Sequence, residues 1–286
     1  MVSGANCTID LHITDLNIGV LYVLSISSIG ILGIILGGWA SNSKYPLMGA
    51  LRSAAQMVSY EAALGLSLAS VLLVAGTLST SGIVAAQSSL TDWHVVSTGV
   101  VPFIIFLIAA TAELNRPPFD LVEAEQELVG GFNTEYSSIR FALFYLAEFM
   151  NTVSMSALIV TLFFGGPQPI SFNGVTLDIP LLPNGLEGTV WLLLKVLVFL
   201  YIYVWFRATL PRLRYDQLMD LGWKVLIPAS LGWFLLLAMQ RLARDEGWNV
   251  FVATAVTVVV LGACYALMLA AFATSNKTRE SQGAQF

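Results

Sequence analysis

Seven runs of about 20 mostly apolar residues recur along the chain, at roughly 17–38, 54–78, 98–115, 139–165, 188–206, 222–241 and 249–272, and they constrain its fold more than any other feature. A helix rises about 1.5 Å per residue, so runs of this length match a hydrocarbon core of about 30 Å. Inside a bilayer no water satisfies a lone backbone N–H or C=O, which leaves helices and closed barrels. These runs lack the apolar/polar alternation of a barrel strand. The expected fold is therefore all-α, a polytopic integral membrane bundle of about seven transmembrane helices. Composition agrees, since 57% of the 286 residues are apolar and only 11% are charged, under half the roughly 25% of soluble domains. The apolar runs make membrane lipid an expected partner, and because acids outnumber bases 18 to 13 without any basic run, nucleic acid is not. Cys7 and Cys264 stand too far apart in sequence to form a metal-ligand cluster, a C-x-x-C pair or a disulfide framework.

Positive charge sets the orientation, because Lys and Arg accumulate on the cytoplasmic side. Lys44 and Arg52 flank the first loop, Arg116 and Arg140 bracket the third, Arg207, Arg212, Arg214 and Lys224 crowd the fifth, and Lys277 and Arg279 lie in the tail. The residues before 17 and those of 79–97 and 166–187 include no Lys or Arg. The expected layout is a polar segment 1–16 outside, a single transmembrane domain 17–273 with cytoplasmic loops at 113–138 and 207–221, and a cytoplasmic tail 274–286. Arg241 and Arg244 dissent on an outer turn, where Asp245 and Glu246 offset them. His12 and His94 fall on the outer face and are assigned no role. Neither an inverted repeat nor a low-complexity linker divides the chain.

An ionised carboxylate at the centre of a bilayer costs at least about 2.5 kcal/mol, so each one needs a reason. Glu61 follows Arg52 by nine residues and Glu148 follows Arg140 by nine, about 13 Å of helix in each case. Entering from the same side, the two are expected at one depth. Either each is a protonated or paired structural residue, or both belong to a proton relay, in which a neighbouring charge loads and unloads buried carboxyls. Lys195, inside the fifth span, either snorkels to the outer interface or pairs with a buried charge.

The third loop concentrates charge most densely. Glu113, Asp120, Glu123, Glu125, Glu127 and Glu135 stand against Arg116 alone. Pro117 and Pro118 stop the preceding helix, and Gly130 and Gly131 permit a turn. A short helix over 119–128 would align Asp120, Glu123 and Glu127 on one face and point Glu125 elsewhere. A merely solvated loop explains the acids but not their alternation with Leu121, Val122, Leu128 and Val129, nor the Pro and Gly anchors. Phe119, Phe132 and Tyr136 are candidates to line an apolar cavity for a ring-shaped ligand. In the fifth loop Arg207, Arg212 and Arg214, with Asp216, serve either as positive-inside anchors or as guanidinium partners for the third loop.

These motifs carry a resemblance. Gly-Trp-Ala-Ser-Asn-Ser-Lys-Tyr at 38–45, Ala-Leu-Arg at 50–52, Ser-Tyr-Glu at 59–61, the 113–136 loop, Ala-Glu-Phe at 147–149, Arg-Ala at 207–208 and Pro-Arg-Leu-Arg-Tyr-Asp-Gln at 211–217 occur in that order. From about residue 9 onward the chain resembles the H-type membrane subunit family of respiratory NADH:quinone oxidoreductase, complex I. The resemblance implies the heel of a membrane arm, with cytoplasmic loops that help form a quinone chamber. A chain of buried acids would lead from there towards antiporter-like subunits. It implies quinone as substrate, no redox centre in this chain, and FMN and iron–sulfur clusters in partner subunits. The implied partners are the peripheral-arm quinone-site subunits and the antiporter-like membrane subunits, and the implied location is a bacterial inner membrane.

Carried over by position, Glu61, Glu113, Glu148, Asp120, Glu123, Glu125, Glu127 and Glu135 resemble the acidic chain. Arg116, Phe119, Phe132 and Tyr136 resemble chamber lining, and Arg207, Arg212, Arg214, Asp216 and Lys195 resemble ion-pair partners. The family pattern opens with a further helix, an amphipathic cytoplasmic segment bearing a Gly-Pro-Asn-Arg motif, and a second helix, none of which has a counterpart here. The leading expectation is a quinone-chamber and proton-coupling subunit. The alternative within the superfamily is the equivalent subunit of a membrane-bound hydrogenase or related dehydrogenase, and a more distant one is an ion-coupled transporter. The close spacing of Glu123, Glu125 and Glu127 favours the quinone enzyme.

Overall fold

Apolarity determines where each long helix runs, and packing determines where it stops. The computed structural model describes residues 14–120, 130–172, 175–176 and 186–283. In chain order the helices are α1 (Gly19–Ala40), α2 (Lys44–Ala75), α3 (Thr80–Ala85), α4 (His94–Ser97), α5 (Val100–Glu113), α6 (Ser138–Phe163), α7 (Glu187–Thr209), α8 (Tyr215–Asp220), α9 (Ile227–Asp245) and α10 (Val250–Gly283). A 3-10 turn occupies Gly131–Asn133, and a π-helical stretch at Leu221–Leu226 fuses α8 to α9. Ser171–Phe172 and Val175–Thr176 form a two-residue antiparallel pair, with Ser171 opposite Thr176. The architecture is the expected all-α membrane bundle.

Among the described residues, five stretches have both the length and the apolarity to cross a membrane: α1, α2, α6, α7 and the continuous Tyr215–Asp245. The third expected span yields the 14-residue α5, about 21 Å long and shorter than a hydrocarbon core. The apolar Val250–Ala266 part of α10 is also shorter. α1 is apolar around its whole circumference and buries only Gly19, Val20, Ile31, Gly37 and Gly38, as a helix does whose outer faces meet an apolar medium.

α2 is the central post, packed on α1, α5 and α9. It buries the small residues Gly49, Ala50, Ser53, Ala54, Ala63 and Ser67, which let neighbouring backbones approach closely. A Cβ added at Gly38 would overlap that of Ala50, and one at Gly49 would stand 2.8 Å from the Gly131 Cα. The end of α1, the start of α2 and the Gly131–Asn133 turn therefore meet backbone to backbone. The main core lies between α2, α5, α6 and α7, where Phe106 packs edge-on to Phe163 and Phe103 bridges to Phe199.

Polar contacts gather at the two ends of the bundle. At one end the Tyr136 hydroxyl donates to the Gly37 carbonyl at 2.6 Å, and the Leu213 N–H donates to the Pro118 carbonyl at 3.1 Å. Tyr60 donates to the Leu218 carbonyl at 2.8 Å, so α2 holds α8 in place. At the other end Asp15 accepts from Ser79 at 2.9 Å and from Ser81 at 2.5 Å. There Arg241 donates to the Val74 carbonyl at 3.3 Å. The dissenting arginine thus sits at the C-terminus of α2, where terminal carbonyls attract a cation.

Candidate functional site

The site is built where α5 ends. Asn115 takes a positive φ of 50° and the two prolines at 117 and 118 supply no N–H, so the helix cannot continue. The buried Gln56 of α2 clamps the chain on both sides of this break, donating to the Ala112 carbonyl at 2.8 Å and the Phe119 carbonyl at 2.9 Å. Asn115 donates to Ser53 at 3.1 Å. These bonds fix Glu113 at the helix end and Asp120 just beyond it.

A cavity of about 490 Å³ opens between α1, α5 and α6, within the size range of small-molecule sites. Val23, Ile26 and Ile34 of α1 and Met155 and Leu158 of α6 give it apolar walls, and Gly30 and Gly33 widen it. Glu113, Asp120, Glu148, Asn133 and Asn151 supply the polar groups, and Phe132 and Phe144 the aromatic ones.

Each carboxyl is held by a neighbour. Glu113 is 5% exposed and accepts from the Ser27 hydroxyl. Glu61 accepts from the adjacent Ser28 hydroxyl and lies close enough for its charge to act on Glu113. Glu148 pairs with Arg116 at 3.3 Å, and the same guanidinium lies over the Phe149 ring at 4.7 Å. Asp120, almost wholly buried, faces Arg212 of the fifth loop at 3.6 Å. This is a row of acids beside an apolar cavity, with arginines on two of them, and such an arrangement suits holding a polar-headed apolar ligand and exchanging protons beside it.

The family model described as NADH dehydrogenase matches residues 2–238. The chain belongs to the NADH dehydrogenase family. The H-type subunit of NADH-quinone oxidoreductase from Frankia alni is 53% identical over 238 residues, covering 82% of this chain and 51% of that protein. The protein of the same name from Frankia casuarinae is 53% identical over 237 residues, with the same shares. The chain spans about half the length of these curated relatives.

Of the residues expected to serve this NADH dehydrogenase family member, the structure gathers Glu113, Glu148, Asp120 and Phe132 on one cavity and puts Arg116, Arg212 and Glu61 directly behind them. Glu61 is tied towards Glu113 through α1, and Glu148 is held by Arg116. Glu123, Glu125 and Glu127 lie outside the described residues, as does most of the helix expected over 119–128. Glu135, Arg207, Arg214 and Asp216 are exposed, and the Arg214 N–H donates to the Gln217 side chain at 3.3 Å at the start of α8.

Three expectations are corrected. Phe119 does not line the cavity: it is buried against Tyr60, ring centroids 5.8 Å apart, because Gln56 pulls its backbone inward. Tyr136 is likewise absent from the wall, since its hydroxyl is committed to Gly37 and its ring packs on Phe144. Lys195 neither snorkels nor meets a carboxylate among the described residues. It is buried, and its ammonium donates to the carbonyls of Phe164, Gly166 and Gln168 at 2.8, 3.0 and 2.8 Å. Those carbonyls follow the C-terminus of α6, where the helix dipole favours a cation.

His94, expected at an interface, is 2% exposed. Burial pushes its imidazole below the usual histidine range, against the opposing effect of a hydrogen bond to the Leu162 backbone. His12 lies outside the described residues. Sequence reasoning missed Ser27, Ser28 and Gln56. The available signals were two consecutive serines in a strongly apolar helix that also holds Tyr22 and Ser25, and a lone amide on the small-residue face of α2.

Proposed function

We propose that this chain is a membrane-arm subunit of a proton-pumping NADH:quinone oxidoreductase. In this reading the cavity beside Glu113, Asp120 and Glu148 contributes to the quinone chamber, and Glu113, Glu61 and Glu148 pass protons into the membrane. The observation that carries it is the opening of two buried acids, Glu113 and Asp120, and the half-buried Glu148 onto one apolar cavity, with Glu61 tied towards Glu113 through α1. The names of the relatives support the same assignment. The Lys and Arg residues around this end support its facing the cytoplasm.

Two electrons from partner subunits and two protons convert a quinone to a quinol. The negative charge that appears first in the chamber acts on the neighbouring carboxyls, because Coulomb interactions are strong where water is excluded. Glu113, buried at the end of α5, takes a proton more readily while that charge lasts. Protonation of Glu148 frees the Arg116 guanidinium, which then turns towards the chamber, so one proton transfer also moves a charge. Arg212 pairs with Asp120 and so joins the third loop to the fifth.

The test is Glu61→Gln and Glu148→Gln in the assembled membrane complex, reading quinone reduction and proton uptake together. Each variant is expected to lose most proton pumping. Normal pumping coupled to undiminished quinone reduction in both would overturn the relay.

A further inference from the structure

Glu61 and Glu113 sit on different helices, α2 and α5, and both are reached from α1 by neighbouring residues. Successive side chains on a helix point about 100° apart, so Ser27 addresses α5 while Ser28 addresses α2. A hydroxyl carries one proton and two acceptor lone pairs. Ser28 nevertheless has two oxygen neighbours, Glu61 Oε1 and the Leu24 carbonyl at 3.0 Å. A carbonyl only accepts, so one serine proton cannot serve both at once.

When Glu61 is ionised, the Ser28 proton turns to the carboxylate, and the Leu24 carbonyl keeps its helical bond. When Glu61 is neutral, its own O–H donates to Ser28 Oγ, and the serine proton turns to Leu24. Both states of Glu61 are then hydrogen-bonded, and they differ by rotation of one O–H bond. Ser27 can likewise donate to the Glu113 carboxylate and accept from the acid. Neither serine gains or loses a covalent bond. A proton that leaves one glutamate and arrives at the other leaves both hydroxyls intact, only turned.

We propose that Ser27 and Ser28 are positioning residues for proton transfer between Glu113 and Glu61, hydroxyls on one helix that each meet one oxygen of a carboxyl, as donor when it is charged and as acceptor when it is neutral. The inference rests on the proton-relay reading above and names the device that keeps either charge state from being trapped. A buried carboxylate without its donor, or a buried acid without its acceptor, carries the full penalty of an unmade bond.

The test uses Ser28→Ala, Ser27→Ala and Ser28→Thr in the assembled complex, with Glu61→Gln alongside. Alanine is a better helix former than serine, so folding is retained. The infrared carbonyl band of neutral Glu61, identified by its loss in Glu61→Gln, is expected at higher wavenumber in Ser28→Ala. Proton-coupled turnover in each alanine variant is expected to fall about tenfold, the factor of one hydrogen bond to a charged group. Ser28→Thr restores both the band and the turnover. If Glu61→Gln abolishes pumping while both alanine variants turn over like the parent, the serine role is overturned and the relay stands. If Glu61→Gln pumps normally, the relay itself fails and this proposal falls with it.

Discussion

Lys195 shows how a cation is kept inside an apolar bundle. Its ammonium has three protons and meets three carbonyls within 3.0 Å, and it also lies 5.2 Å from the Trp93 ring centroid. The charge was conspicuous in the sequence, as were Glu61, Glu113 and Glu148, because ionic residues stand out in apolar runs. Its partner was not legible, since backbone carbonyls have no residue type by which to be found. The same limit hid Ser27 and Ser28, which an apolar helix tolerates without any function, and misplaced Phe119, whose orientation follows from a hydrogen bond to its carbonyl rather than from its ring. Replacing Lys195 by Met keeps the stem and strands three buried acceptors. Each unmade bond costs about 1–3 kcal/mol, and partial relaxation holds the expected loss near about 3 kcal/mol. Thermal unfolding of the detergent-solubilised protein measures it. An unchanged transition would mean that these carbonyls find other donors and that the ammonium is dispensable.

At the level of elements, the apolar runs located the long helices within a few residues where lipid-like composition and helix coincide: 139–165 became Ser138–Phe163 and 188–206 became Glu187–Thr209. They failed where packing extends a helix. α2 begins at Lys44, ten residues before its expected span, because Gly49 and Ala50 seat its first turns against the Gly131–Asn133 turn and the end of α1. Hydropathy registers no such contact, and it gave no sign of the π-helical stretch at Leu221–Leu226 either. Gly49→Ala would put a methyl against the Gly131 backbone, 2.8 Å from its Cα, and an overpacked contact of this kind costs about 1–3 kcal/mol. Gly65, on the same helix, has nothing within 4 Å of an added Cβ. Gly65→Ala is expected to stabilise by about 0.5–1 kcal/mol. Melting temperatures of the two variants moving in opposite directions would verify the backbone contact, and a shared direction would refute it.

Across the whole molecule the two ends do different work. The acid-lined cavity lies at one end, and at the other buried Gln87 stitches three elements together. Its amide donates to the Thr161 carbonyl at 3.1 Å and accepts from the His94 and Gly165 N–H groups at 3.3 and 3.0 Å. Thr98 carries the stitching onward, donating to the His94 carbonyl at 2.5 Å and accepting from Trp233 of α9 at 2.8 Å through its own carbonyl. These bonds tie the entry to α5, the end of α6 and α9 to one another. The arrangement makes stability depend on pH through His94. Burial, the larger influence, keeps its imidazole neutral and lowers its affinity for protons from the ordinary 6.5, while the Leu162 hydrogen bond works the other way. Below that pH the unfolded chain binds the proton and the folded chain resists it, so the stabilisation is complete above 6.5 and is lost as pH falls towards the depressed value. One proton sets the slope at no more than about 1.4 kcal/mol per pH unit. His94→Gln keeps a donor for Leu162 and cannot titrate. The stability gap between the parent protein and this variant, followed by thermal melting from pH 8 to pH 5, is expected to narrow on the acid side. A constant gap would show that His94 holds its proton equally well in both states, and the far end of the bundle would then be indifferent to acid.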